Sequence, residues 1–147
     1  MNAAFLRTAL ALGLVVAMAG CRHAQPEARV PAIDWHTSPL DLDLRGMNGK
    51  SYRFRCPPGK PEPASVTGSG VYTDASSICA AAAHAGAIDD QSGGQVTIEI
   101  LPGRAGYPGS MHNFIQSVAY PHAWNGSFVV LSAADSGEKP KANAADR

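Results

Sequence analysis

The run Ile78-Cys79-Ala80-Ala81-Ala82-Ala83-His84 constrains the fold more than any other stretch, because it is helical in pattern yet has no polar face. It lies in the block VYTDASSICAAAAHAG, Val71 to Gly86. Asp74 is an N-cap candidate, residues 75–85 are predicted helical, and Gly86 stands just past the last turn, where a left-handed φ is easy for glycine. A surface helix shows polar side chains over about half its circumference. This one has only isoleucine, cysteine and alanine between its ends, so it must be buried all round. Alanine also lets neighbouring backbones pass close, which predicts a central rod with strands packed around it.

Those strands are read from alternation and turn residues. In LDLDLRGMNGKSYRFRC, Leu40, Leu42 and Leu44 alternate before Asn48-Gly49, and Tyr52, Phe54 and Cys56 alternate after it. Asn-Gly tolerates the positive φ of a type I′ turn, so an N-terminal hairpin is predicted over residues 40–56. Asp41, Asp43, Arg53 and Arg55 would then share its outer face and pair across the strands. The Pro- and Gly-rich stretch CPPGKPEPASVTGSG reads as an ordered loop or a short edge strand. After the helix, Ser92-Gly93-Gly94 marks a turn into QVTIEIL, where Val96, Ile98 and Ile100 alternate with Thr97, Glu99 and Leu101. PGRAGYPGS reads as a long loop and NFIQSVAY as a further strand. Trp124-Asn125-Gly126 reads as a turn into a last strand, SFVVLS, with Phe128 and Val130 toward the core. Fifteen glycines and eleven prolines among 147 residues agree with short elements joined by many turns.

The two ends lie outside this α+β domain. MNAAFLR carries one positive charge, TALALGLVVAM is an apolar run of eleven, and Ala19-Gly20-Cys21 supplies small residues for cleavage. A membrane-spanning helix needs about 20 residues, so residues 1–20 read as a signal peptide. Met18-Ala19-Gly20-Cys21 resembles the bacterial lipobox, although Met18 stands where leucine is usual. The resemblance implies thioether lipidation of Cys21, removal of residues 1–20 and acylation of the new N-terminus by chains of the palmitate kind. Several chains, at about 0.8 kcal/mol per buried methylene, anchor a protein stably. A signal peptide without lipid, followed by a chance cysteine, is the alternative. Arg22 follows where, in similar lipoproteins, aspartate favours the inner membrane, so the outer membrane facing the periplasm is the expected location. Residues 21–33 are a polar, Pro-containing spacer. Residues 34–132 are the folded domain, and 133–147 a tail with little to bury.

Signals for chemistry are sparse. No G-x-S-x-G, H-E-x-x-H, G-x-x-x-x-G-K or G-x-G-x-x-G occurs. Lysine and arginine together number 12, as do aspartate and glutamate, which argues against a nucleic-acid partner held by bulk electrostatics. His23, His36, His84, His112 and His122 have no metal-binding spacing; neither metal nor cofactor is expected. Ser76, Asp74 and His84 do not make a catalytic triad, because Ser76 and His84 lie roughly 12 Å apart along one short helix. His84 reads as a buried imidazole bonded to a carbonyl and favourable at the negative helix end, with ligand contact as the other reading. Arg45, Lys50, Arg53, Arg55 and Lys60 form a basic run, either a solvated face or a docking place for an anionic headgroup. Cys56 and Cys79 form an even pair in an exported domain and are expected to bridge, stabilising by about 3 kcal/mol across 23 residues. Two buried thiols are the alternative.

Gly70-Val71-Tyr72-Thr73-Asp74, Ser76-Ser77-Ile78-Cys79, Ala82-Ala83-His84-Ala85-Gly86, Gly93-Gly94, Pro102-Gly103, Tyr107, Ser117, Trp124 and Ser127-Phe128 together resemble the LCCL domain family over about residues 50–131. The resemblance implies a helix wrapped by two small, mainly antiparallel β-sheets. It gives Tyr72, Asp74, Ser76, His84, Gly86, Gly93, Gly94 and Trp124 structural roles. It also implies a non-catalytic extracellular module, with lipopolysaccharide binding proposed for some animal members. Those members carry two disulfides built on four cysteines, and Cys56 and Cys79 align with different bridges there. Their pairing here is therefore this chain's own expectation. Lys60 stands where the family's C-P-x-G-C pattern has its second cysteine, and Asn113-Phe114 where the family has Asn-Gly.

The expected function is a non-catalytic, envelope-anchored binding module. Its ligand would be an anionic glycan or lipid of the lipopolysaccharide kind, or an envelope protein. Arg104, Tyr107, Ser110 and His112 in the 103–113 loop, with Arg53 and Arg55, are the candidate contacts. The alternatives are a structural or assembly lipoprotein with protein contacts only, and a hydrolase using His84 or His112 as base.

Overall fold

The computed structural model describes residues 29–59 and 65–132. The signal peptide, Cys21, most of the spacer, Lys60 and the tail from 133 lie outside the described residues. The spacer's last residues belong to the domain: Ile33 N–H donates to the Arg55 carbonyl at 3.0 Å, and Arg55 N–H to that of Pro31 at 2.8 Å.

In chain order the elements are β1 (Ser51–Cys56), β2 (Gly68–Ser69), β3 (Val71–Thr73), α1 (Ile78–His84), β4 (Gly94–Arg104), β5 (Met111–His112), β6 (Ile115–Gln116) and β7 (Trp124–Leu131). One sheet runs β1-β4-β7-β3-β2, with every pairing antiparallel, and β5-β6 is a second, two-stranded sheet. The α+β class and the two antiparallel sheets agree with expectation.

All seven residues of α1 are at most 3% exposed, as an all-apolar helix requires. They share the core with Trp35, Phe54, Tyr72, Val96, Ile98, Ile100 and Phe128. The alternation read in β4 holds, with Val96, Ile98 and Ile100 inward and Gln95, Thr97 and Glu99 more exposed.

The helix ends one turn short of expectation at its start. Ser77, not Asp74, is the N-cap, its hydroxyl accepting the Ala80 N–H at 3.1 Å. Asp74 is drawn away by tertiary partners described below. At the other end Gly86 has φ +76, and its N–H and that of Ala87 donate to the carbonyls of Ala83 and Ala82. These two bonds close the helix in a Schellman arrangement.

The N-terminal hairpin does not form. Residues 40–43 are turns, and β1 pairs with β4, Phe54 opposite Val96 and Tyr52 opposite Ile98. Asp41 accepts bonds from the Ser38 N–H at 2.9 Å and hydroxyl at 2.7 Å, a local closure that competes with strand pairing. Leu42 and Leu44 still pack on the core while Leu40 is exposed, so the alternating leucines marked burial at two of three positions and misstated the backbone. Asn48-Gly49 does turn the chain: Lys50 N–H bonds the Met47 carbonyl at 3.0 Å, with positive φ at Gly49 alone. That is a type II pattern leading into β1, not a type I′ hairpin.

Trp124-Asn125-Gly126, expected as a turn, forms the start of β7, with Trp124 opposite Arg104 and Gly126 opposite Pro102. NFIQSVAY is strand only at Ile115–Gln116, continued by single bridges from Val118 to Thr67 and from Tyr120 to Tyr107.

Candidate functional site

Cys56 at the end of β1 and Cys79 in α1 are bonded, with Cα atoms 5.6 Å apart. The expected bridge therefore ties the edge strand to the central helix. Gly93 and Gly94 carry φ of +66 and +157 beside it, and a Cβ on Gly93 would meet the backbone of Cys56 and Pro57.

His84 lies at the buried end of α1. Its Nδ1 is 2.9 Å from the Tyr72 hydroxyl, and its Nε2 is 3.4 Å from the Ser110 carbonyl oxygen. That carbonyl can only accept, so Nε2 carries the proton and Nδ1 accepts from Tyr72. Burial pushes the Tyr72 hydroxyl above its ordinary value, which keeps it a donor. Burial likewise holds His84 below the usual imidazole range, opposed by the Ser110 bond and reinforced by neighbouring His112. In the neutral ring both nitrogens are engaged, Nδ1 as acceptor and Nε2 as donor. The Ser110 hydroxyl oxygen also stands 3.3 Å from Nε2 while the hydroxyl donates to Ser69 Oγ at 2.7 Å, so towards the protonated Nε2 it acts as an acceptor.

Asp74, fully buried, anchors the second cluster. Burial pushes its carboxyl up, but bonds from Arg45 and Trp124 and the charge of Arg45 prevail and hold it below the carboxylate range. Arg45 grips both oxygens, Nε at 2.6 Å and Nη2 at 2.8 Å, and Trp124 Nε1 donates to Oδ1 at 2.7 Å. The guanidinium also stands 5.6 Å from the centroid of the Trp124 ring. Gly126 passes directly beneath, where any Cβ would overlap the Asp74 carboxylate. Ser76 bonds Thr73 Oγ1 and the Thr67 N–H at 2.9 Å each. Tyr72, Asp74, Ser76, His84 and Trp124 are thus hydrogen-bonded within the domain, and Gly86, Gly93 and Gly94 take positive φ.

The predicted ligand residues do not form one site. Tyr107 is 3% exposed, its hydroxyl bonded to Ser127 Oγ at 2.6 Å and to the Arg104 N–H at 3.1 Å. It fastens the loop from inside and is corrected from a ligand contact to a structural one. The loop itself is laced down, through paired Tyr107–Tyr120 backbone bonds and a bond from the Ser110 N–H to Ser117 Oγ. Arg53 and Arg55 stand on β1 opposite Thr97 and Gln95. Arg104 lies seven residues further along β4 than Thr97, roughly 23 Å at strand rise. His112 is exposed on β5, its ring edge-on to His84 at 5.3 Å.

What the fold does gather is a different surface. Arg104 faces Trp124 across β4 and β7. Tyr120 stands edge-on to Trp124 at 5.9 Å and to His122 at 5.6 Å. Trp124 is thus flanked by the Arg45 guanidinium and the Tyr120 ring, with Arg104 opposite it in the sheet; of this group the sequence marked only Arg104 and Trp124. Arg45 was visible as part of a basic run, but its pairing with a carboxylate 29 residues away was not. Among the described residues no group of three His, Cys, Asp or Glu side chains is placed to hold a metal.

A buried alanine helix packed with two antiparallel sheets and fastened by an Asp-Arg-Trp cluster defines a small α+β domain. The LCCL domain family model matches residues 33–128, and the chain belongs to that family. It is similar to human vitrin, 41% identical over 118 residues that make up 80% of this chain and 16% of vitrin. Bovine cochlin is 42% identical over 95 residues, 63% of this chain and 17% of cochlin. Human cysteine-rich secretory protein LCCL domain-containing 2 is 44% identical over 69 residues, 44% of this chain and 14% of that protein. The chain thus spans about a sixth of the length of these relatives.

Proposed function

We propose that the protein is a non-catalytic binding module that takes an anionic glycan or glycolipid headgroup at the Arg104, Tyr120, His122 and Trp124 surface. The observation that carries the reading is the cross-strand pairing of Arg104 with Trp124, bordered by two more rings. Aromatic faces suit the apolar faces of sugars, and an exposed guanidinium suits a phosphate or carboxylate. Arg53 and Arg55 form a separate basic strip on the edge strand. The test is parallel titration with lipopolysaccharide, peptidoglycan and phospholipid vesicles. Saturable binding to one anionic glycan, weakened by Arg104→Glu and His122→Ala, is expected; binding to none, or binding indifferent to both substitutions, rejects it.

The same reading places the protein in a bacterial envelope, exported and tethered through lipid on Cys21, at the outer membrane facing the periplasm. Its support is the lipobox-like Met18-Ala19-Gly20-Cys21 and a disulfide, which persists in oxidising compartments. No helix among the described residues is long and apolar enough to cross a membrane. Intact mass of the membrane-fraction protein should show an acylated N-terminal Cys21, and Cys21→Ser should release the protein to the soluble fraction.

A further inference from the structure

The β5–β6 turn carries a feature that the fold does not need. Asn113 and Phe114 are its two central residues, with φ of +49 and +62. Both signs are positive, as a type I′ turn demands. Asn113 suits that geometry and is used, its Nδ2 donating to the His84 carbonyl at 3.0 Å. Phe114 does not suit it. A bulky side chain in the left-handed region is a conformational outlier, and this ring is fully exposed at 102%. Met111 at 64% and Val118 at 59% are also exposed. Outliers of this kind cluster at ligand-contacting and switch positions.

Beside the ring opens a cleft of about 390 Å³, lined by Ala83, Ile88, Asp89, Asp90, Asn113 and Phe114 among others. Among the described residues none of its lining is basic. Asp89 stays ionised at neutral pH, because the Ser92 and Gln91 N–H groups hold its carboxyl below the usual range. An aromatic face beside two carboxylates and an apolar wall is complementary to a lysine or arginine side chain carried on an apolar segment. A hydrophobic ring alone would suit a lipid surface, but paired acids repel an anionic one.

We propose that the Phe114 tip and the adjoining acidic cleft form a docking surface for a partner protein, which inserts a basic side chain flanked by apolar residues. Phe114 acts as the anchor, in the manner of aromatic residues that dominate interfaces. Asp89 and Asp90 select the charge. This surface is independent of the Arg104–Trp124 one, and neither reading needs the other.

The test is an amide-resolved titration of the whole protein with the peptide acetyl-Leu-Arg-Leu-Lys-Leu-amide, and with its counterpart carrying glutamate at both charged positions. Expected are shifts confined to residues 83–90 and 111–116 with the basic peptide and none with the acidic one. Phe114→Gly keeps the turn and should weaken binding about tenfold or more; the double change Asp89→Asn with Asp90→Asn should do the same. Shifts located elsewhere, or binding unchanged in these variants, overturn the proposal. So does Phe114-dependent binding to phosphatidylcholine vesicles, which would make the occupant a membrane, or Phe114-dependent dimerisation without peptide, which would make it a second copy.

Discussion

The Tyr72 hydroxyl donates to Nδ1 of His84 at 2.9 Å, joining the strand β3 to the buried end of the central helix. With Ser110 on the other ring nitrogen, both nitrogens are engaged, and burial favours the neutral imidazole. It also joins the strand edge, the helix and the 105–110 loop at one point.

Acid sensitivity follows from that neutrality. His84 is held below its ordinary value of 6.5 by burial, so on acidification the unfolded chain binds the proton before the folded one. Its contribution is complete above about pH 6.5 and is lost as pH falls from there through the lower native value. Thermal unfolding from about pH 8 to about pH 5 should show a falling midpoint, and His84→Gln should flatten that slope. Asp74 adds a separate loss of the same sign at lower pH, below 3.8, where its depressed carboxyl takes up a proton.

Removing Arg45 leaves the Asp74 carboxylate buried with Trp124 as its remaining side-chain partner. Breaking a buried pair costs about 3–5 kcal/mol, and Arg45, at 37% side-chain exposure, sits partly in water. Arg45→Met should therefore destabilise by about 2–4 kcal/mol in denaturant unfolding. The double variant Arg45→Met with Asp74→Asn should recover part of this loss.

Reduction of the Cys56–Cys79 bridge should lower stability by about 3 kcal/mol, the loop-closure value for a 23-residue separation. Alkylation without reductant should leave both cysteines unmodified in the intact mass.

Two glycines should be irreplaceable for steric reasons. A Cβ at Gly126 would enter the Asp74 carboxylate, and one at Gly103 the backbone of Trp124 and Asn125. Gly126→Ala and Gly103→Ala should each destabilise by about 2 kcal/mol or more. Gly106→Ala, whose Cβ would meet the Tyr120 carbonyl oxygen at an ordinary 3.5 Å, should stay within about 0.5 kcal/mol.

Much of this fold was legible because its signals are local. An alanine run without a polar face means burial whatever surrounds it, and Gly86 supplied the left-handed residue that ended the helix. Alternation in β4 named the inward side chains correctly. The N-terminal hairpin misled because alternating leucines report burial, which Leu42 and Leu44 achieve from a turn, while Asp41 closes the backbone on Ser38. Trp124-Asn125-Gly126 misled because Gly126 is small for a tertiary reason: a carboxylate from 52 residues earlier in the chain lies over it.

The candidate site was legible only in fragments. Tyr107 looked like an aromatic in a glycine loop, yet its hydroxyl bonds Ser127 inside the domain. Arg104 gained its neighbours from the β4–β7 register and Tyr120 from a bridge across the loop. Sequence by itself determined the buried rod, the cysteine pair and the family, since hydrophobic pattern and residue identity act over a few turns of chain. Tertiary structure alone decided which charges neutralise one another and which rings share a surface. Those choices depend on contacts between residues tens of positions apart, made only once the sheet closes around the helix.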